Sequence, residues 1–300
     1  MDFYRSKQAS FVDSRLWPVL QSSLVSQNPP FILIRGGGDL ASGVALRLHR
    51  AGLNLLITER PQPLAVRRLV SFAEAIYRGQ IIVEGLTARH VQTDDEALAC
   101  FAAREIPILI DPNLNLLSAS QVLSAPLALI DARMTKLPPE SGLPVAPLVI
   151  GLGPGFVAGQ NCHAAIETNR GHFLGRVIWL GAPEADTGIP GTVARHQSDR
   201  VLRAPADGTF VTHLDIGSRL QAGQLIAEVS GTPIVAPFDG LLRGLLHAGL
   251  PVECGTKVGD LDPRNDSRFA TLISEKSLAI GGGVLEALLT RPEIRQKLWI

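Results

Sequence analysis

A run of three glycines, set between an apolar strand and a helix-patterned stretch, constrains this chain more than any other feature. Phe31-Ile32-Leu33-Ile34 reads as a buried strand. Gly36-Gly37-Gly38-Asp39-Leu40-Ala41 follows and fits G-x-G-x-x-A. Residues 42–51 then carry a helical pattern, and 53–58 form a second apolar run. Strand, glycine turn, helix and strand make the βαβ unit of a doubly wound sheet. The glycines permit a tight turn and close approach of backbone to a phosphate. The helix start offers unpaired N–H groups and the positive end of its dipole. Gly36, Gly37, Gly38, Asp39, Ala41 and Ser42 are therefore candidate contacts for a nucleotide or phosphate, and Glu59, ending the second strand, is placed for a ribose hydroxyl. The bland alternative is a βαβ turn that binds nothing. Asp39 is unusual, since a carboxylate there repels a pyrophosphate; capping the helix is its other role.

Strand–helix alternation continues to about residue 180. Short apolar runs at 80–84, 106–110, 127–131 and 148–150 suit parallel strands buried on both faces, and 94–104 reads as a helix. The expectation is a Rossmann-like doubly wound α/β domain over 31–180. An N-terminal extension, 1–30, precedes it, with Leu16, Leu20 and Leu24 at helical spacing. Residues 181–199 are rich in Gly and Pro and read as a linker. Beyond them Ala204-Pro205-Ala206-Asp207-Gly208 recurs as Ala236-Pro237-Phe238-Asp239-Gly240. Two equivalent β-units predict an all-β barrel-sandwich domain of the biotinyl/lipoyl type over 200–265. In such carriers a lysine sits at the hairpin tip between the halves. Here the tip is Ser230-Gly231-Thr232, so neither biotin nor lipoate is expected. A C-terminal helical segment, 266–300, is interrupted at Gly281-Gly282-Gly283, which either presents a helix start to an anion or allows close packing.

Reactive side chains concentrate after a second glycine loop, Gly151-Leu152-Gly153-Pro154-Gly155. Gly153 and Gly155 either cradle a phosphate or simply reverse the chain. Cys162 and His163 offer a thiolate and a base, Glu167 an acid or base, Arg170 an anion clamp, and His172 a second imidazole. Their spacing matches no zinc signature, and the metal question stays open. The competing reading makes Cys162 a small buried hydrophobe and His163 a packed histidine. Asp111 and Asp131, at strand ends, either meet a ligand or cap the next turn. Arg67 and Arg68 form a phosphate clamp or a solvated face.

Lys and Arg number 28 against 28 Asp and Glu, so no broad charge footprint points to nucleic acid or anionic membrane. Three separated cysteines, Cys100, Cys162 and Cys254, argue against a disulfide framework and for a reducing compartment. No signal-peptide pattern opens the sequence and no apolar run reaches the roughly 18–20 residues of a membrane span. A cytoplasmic protein is expected, of open oligomeric state.

Longer strings carry a resemblance. Ile34-Arg35-Gly36-Gly37-Gly38-Asp39-Leu40-Ala41-Ser42-Gly43-Val44-Ala45, Val83-Glu84-Gly85, Gly153-Pro154-Gly155-Phe156 through Glu167-Thr168-Asn169-Arg170-Gly171-His172, and Ala279-Ile280-Gly281-Gly282-Gly283-Val284-Leu285-Glu286-Ala287 are similar to those of the YqeB family, the selenium-dependent molybdenum hydroxylase system proteins. The resemblance implies a role in maturing such hydroxylases, by binding and modifying or inserting a molybdenum-pterin cofactor. It implies a molybdenum hydroxylase and XdhC-like maturation proteins as partners, since residues 1–30 are too short for the XdhC-like region fused in some members. In that picture the glycine loop holds a nucleotide or the pterin phosphate, and Cys162 relays the chalcogen. A non-catalytic cofactor-binding chaperone and an NAD(P)-dependent oxidoreductase are the alternatives, so whether the chain is an enzyme is left open.

Overall fold

The computed structural model describes residues 29–123, 125–140, 145–186, 188, 199–264 and 266–298. The expected helix around Leu16, Leu20 and Leu24 and most of the expected linker lie outside them. The first apolar run is β1 (Phe31–Arg35), buried on every residue. The glycines lead into α1 (Asp39–Arg50), whose Asp39 and terminal Arg47, His49 and Arg50 complement the helix dipole. β2 (Asn54–Glu59) pairs parallel with β1. Two 3-10 turns and the short α2 (Ala75–Arg78) precede a hairpin, β3 (Gln80–Val83) and β4 (Leu86–His90). Next come α3 (Asp94–Ala102), β5 (Ile106–Ile110), α4 (Asn115–Ala119), β6 (Ala128–Asp131), β7 (Val149–Leu152), β8 (Ala164–Ile166) and β9 (Val177–Ile178).

These strands form one nine-stranded sheet in the order β3-β4-β5-β2-β1-β6-β7-β8-β9. Period-two alternation divides its side chains between two cores. Ile32, Ile34, Leu55, Ile57 and Ile130 join one, and Phe31, Leu33, Leu56, Leu129 and Val149 the other. The sheet corrects the expected doubly wound Rossmann-like domain. It is mixed, antiparallel at both margins where β3 meets β4 and β8 meets β9. Among the described residues, no helix links β6 to β7 or β7 to β8. A doubly wound sheet is covered by its own crossover helices. Here a large part of one face is covered instead by a helix from much later in the chain.

The β-rich region begins with β10 (Val201–Arg203), β11 (Gly208–Val211), β12 (Arg219–Leu220) and β13 (Leu225–Val229). It continues with β14 (Thr232–Val235), β15 (Gly240–Leu245), β16 (Pro251–Val252) and β17 (Lys257–Asp262). Two four-stranded antiparallel sheets result, β10-β17-β15-β12 and β14-β13-β11-β16. The strands that follow the two repeat copies, β11 and β15, lie in different sheets. The expected free-standing biotinyl/lipoyl-type module is corrected by how these sheets are held. The first of these sheets is docked on the nine-stranded part: β15 is buried at all six positions, and Leu245 bonds Val66 O through its amide (2.8 Å) and Arg68 Nε through its carbonyl (2.7 Å). Glu74, buried beneath, accepts from Arg78 Nε (2.6 Å) and hydrogen-bonds His247 Nε2 at 2.7 Å.

The chain ends in α5 (Arg268–Thr271), α6 (Glu275–Thr290) and α7 (Pro292–Arg295). Against expectation, α6 runs unbroken through its three glycines, so they present no helix start. Gly281 and Gly283 instead let α6 touch backbone: a Cβ on Gly281 would lie 2.7 Å from Gly43 O, and one on Gly283 would strike Gly175 O. Gly43 is equally tight, its would-be Cβ 2.6 Å from Ser277 O. α1 and α6 thus lie side by side, with Val44, Leu48, Ile280, Val284 and Leu288 in one core. No helix among the described residues is long and apolar enough to cross a membrane.

Candidate functional site

The three glycines after β1 do different work. Gly36 takes a positive φ of 88° and donates its amide to Thr58 O (2.7 Å). Gly37 packs so tightly that a Cβ would lie 2.8 Å from Ala73 N, and its amide is held by Glu59 Oε2 at 2.8 Å. Glu59 Oε1 accepts from Arg60 N (2.8 Å). The carboxylate placed for a ribose is therefore turned onto the loop itself. Gly38 differs from both. It is partly accessible, no heavy atom lies within 4 Å of its would-be Cβ, and as the residue preceding α1 it supplies no side-chain cap. Ser42 Oγ braces the turn, donating to Gly38 O (3.0 Å) and accepting from Phe72 N (2.8 Å), while Ala41 is buried below.

The start of α1 meets the start of α6. Asp39 Oδ1 accepts from Ser277 Oγ (3.0 Å), and Oδ2 from Arg67 Nη1 (3.0 Å). Asp39 is thus an anchor between helices and not a cap. Arg67 Nη2 donates to Phe269 O and Leu272 O, which fixes the turn before α6; its buried Nε has no partner. Ser274 caps α6, accepting from Ser277 N (3.2 Å). Both helix starts converge on the carboxyl edge of β1.

Two half-buried lysines lie electrostatically close to this junction. Lys276, in the first turn of α6, and Lys257, at the start of β17, both lie within Coulombic range of Asp39. Burial lowers the pKa of each ammonium, and neighbouring arginines add to the effect: Arg170 for Lys276, Arg200 and Arg243 for Lys257. Among the described residues neither ammonium makes an ion pair or a side-chain hydrogen bond, and the acids near them have other partners. Arg170 is paired with Glu275 at 2.6 Å, and Asp260 with Arg200 and Arg243 at 2.7 and 2.6 Å. Sequence reading missed both lysines and Ser277. Only the S-x-x-S start of α6 marked the place.

The cysteine–histidine segment does not join this site. Cys162 is fully buried in the opposite core with Phe156, Ala158 and Ala165, and burial pushes its thiol up to about 11. A relay thiolate requires the reverse shift. His163 Nδ1 accepts from Val149 N (2.9 Å), and burial lowers its pKa. Glu167 spends both carboxylate oxygens on backbone, Asn169 N (2.6 Å) and Glu184 N (2.7 Å). His172 lies edge-on to Phe173. Of the five residues, Arg170 reaches the helix junction through Glu275, and Glu167 lies within Coulombic range of Lys276. The second glycine loop is filled by protein. A Cβ on Gly151 would overlap the Phe156 ring, one on Gly153 Thr168, and one on Gly155 the Leu137 carbonyl.

Asp111 caps α4, accepting from Asn115 N (2.8 Å) and Leu117 N (2.9 Å). Asp131 binds Arg133 through both oxygens. Among the described residues no group of three or more His, Cys, Asp or Glu could hold a metal. A cavity of about 220 Å³ lined by Leu109, Leu116, Leu117 and Leu123 lies on the other face of the sheet, and the one carboxylate at its wall, Asp94, is held by Ser120 (2.6 Å).

No family model matches the chain. Over 258 residues it is 44% identical to YqeB of Escherichia coli strain K12, an uncharacterized protein, in a match spanning 86% of this chain and 47% of that one. The chain is a relative of YqeB. It spans about half the length of that curated relative. Among solved structures it is similar to an aspartoacylase family protein of Mesorhizobium loti, at 12% identity over 78% of this chain and 85% of the other, with a TM-score of 0.25. A succinylglutamate desuccinylase/aspartoacylase of Rhodobacter sphaeroides matches at 18% identity over 80% and 87%, also with a TM-score of 0.25. Likenesses so slight assign neither fold nor activity. The expected role in molybdenum hydroxylase maturation is corrected here. The relative is uncharacterized, and the thiol meant to carry the chalcogen is buried, with its pKa pushed up to about 11. The dinucleotide oxidoreductase alternative falls with Glu59, which is occupied by Gly37 and Arg60.

Proposed function

We propose that this chain binds a small phosphate-bearing anion where the starts of α1 and α6 meet. One observation carries the reading: α1 begins without a side-chain cap, at a glycine with open space beside it, and two half-buried lysines, Lys257 and Lys276, lie within Coulombic range of its first residue, Asp39. An uncapped helix start presents N–H donors and partial positive charge. Lysines held away from water are stabilised in the charged form by an incoming anion. Because Glu59 is turned inward, the support is for the phosphate group and does not extend to a ribose.

Titration calorimetry with inorganic phosphate, pyrophosphate and AMP tests the proposal. At least one should bind the wild type, more weakly at high salt, and Gly38→Val should abolish that binding. The valine is sterically acceptable there, since φ is −70° and ψ −173°. Unchanged binding in Gly38→Val, or no binding of any of the three by the wild type, would falsify the proposal.

A further inference from the structure

The cavity on the far face of the sheet has no part in the phosphate reading. Its leucines pack in the core of Phe31 and Leu33, whereas α1 and α6 pack in the other. It measures about 220 Å³ and opens partly to solvent between the start of α3, the end of β5 and α4. Leu109, Leu117 and Leu123 in its wall are each at most 5% exposed. Leu116 and Ala119, also in the wall, are exposed, and Ala119 contributes only a methyl group. The polar groups at the wall differ in what they have left to offer. Ser120 Oγ is fully engaged: it donates to Asp94 Oδ2 (2.6 Å) and accepts from Leu123 N (2.7 Å) and Val122 N (3.1 Å). Asp94 Oδ1 and the side-chain amide of Gln92 have no partner among the described residues. No cationic side chain lies in the wall. A buried water needs two to four polar partners, and the leucines offer it none.

We infer that this cavity binds a small amphiphilic amine, its apolar body against the leucines and its ammonium on Asp94 Oδ1. Volume limits the body. Apolar cavities of roughly 150 Å³ admit benzene, and pockets for drug-sized molecules begin at about 300 Å³. A cavity of about 220 Å³ suits one aromatic ring or a branched aliphatic chain of similar bulk. Charge selects the head group. A hydroxyl can hydrogen-bond the free carboxylate oxygen, but an ammonium adds the attraction of opposite charges. The Gln92 side-chain carbonyl can accept a second ammonium proton. The positive end of the α3 dipole, about half a charge, opposes a cation here. It is outweighed by Asp94, Asp95 and Glu96 in the first turn, none of which forms an ion pair among the described residues.

Leucine-methyl NMR with benzylamine, benzyl alcohol and benzoate, on wild type, Asp94→Asn and Ala119→Phe, decides the matter. In the wild type, benzylamine should shift the methyls of Leu109, Leu116, Leu117 and Leu123, with a Kd of about 1 mM or below. It should bind about threefold or more tighter than benzyl alcohol, and benzoate should bind most weakly. Asp94→Asn, which keeps an acceptor for Ser120 Oγ, should erase the advantage of the amine and leave the alcohol unchanged. Ala119→Phe, which puts a ring into the mouth, should abolish binding of both. Where a variant melts lower than wild type, the wild-type preference and the location of the shifts decide. Equal affinity for amine and alcohol in the wild type, or an unaltered preference in Asp94→Asn, overturns the inference. So does a lack of response at those four leucines to every probe, or undiminished binding in Ala119→Phe.

Discussion

The two glycine-rich loops look alike in sequence and are opposites in space. Each follows a buried strand of the same sheet, β1 or β7. The loop after β1 leaves Gly38 open and feeds a twelve-residue helix. The loop after β7 is closed by Phe156, Thr168 and Leu137, and no helix follows it among the described residues before β8. In one, small size leaves open space beside the backbone at Gly38. In the other, the protein takes the room itself. What comes after a glycine run, and what packs on it, decides which.

Substitution should expose the difference. The largest effect is expected for Gly151→Val, which forces a side chain into the Phe156 ring and should cost about 3 kcal/mol or more in chemical denaturation. A loss below about 1 kcal/mol would mean the second loop is looser than described. Gly38→Val should show the converse, with binding lost and stability changed by no more than about 1 kcal/mol. Lys276→Met comes next, with phosphate affinity reduced about tenfold. It also has a pH signature. Burial lowers the Lys276 pKa in the folded state, so the unfolded chain binds more protons on the alkaline side. The destabilising contribution is full below the lowered value and gone above lysine's ordinary one. Lys276→Met should therefore be more stable than wild type near neutrality, by a margin that shrinks as pH rises; a margin independent of pH would remove the lysine from the argument. The smallest effect is expected for Glu59→Gln, which keeps one acceptor for Gly37 N and should cost about 1 kcal/mol. A stronger phosphate affinity in that variant would show that Glu59 opposes the ligand.

The central strands were legible because a strand buried on both faces must be apolar nearly throughout, as 31–34, 106–110 and 127–130 are. The architecture was not. A local βαβ pattern cannot say whether later crossovers carry helices, and after β6 and β7 the described residues have none. The glycines of α6 looked like a break because their partners, Gly43 and Gly175, lie more than a hundred residues away. Cys162 and His163 misled for a geometric reason. Neighbours along an extended chain face opposite ways, so Cys162 enters a core while the His163 ring turns back to Val149. Lys257 and Lys276 are ordinary in sequence; only tertiary packing takes their charge away from water.

That α6 lies across a sheet built almost entirely before residue 180 has a consequence for how the protein is made. During synthesis, Ile32, Ile34, Ile130, Ile150 and Ile166 emerge long before Ile280, Val284 and Leu288, which share their core. Roughly a hundred residues must be added in between at about 5–20 per second, so the growing chain carries an uncovered apolar surface for seconds. Contacts of such sequence separation are slow to form. A ribosome stalled after β17 would hold a product whose sheet is complete in strands and unshielded on one side, a substrate for chaperones until the last helix arrives.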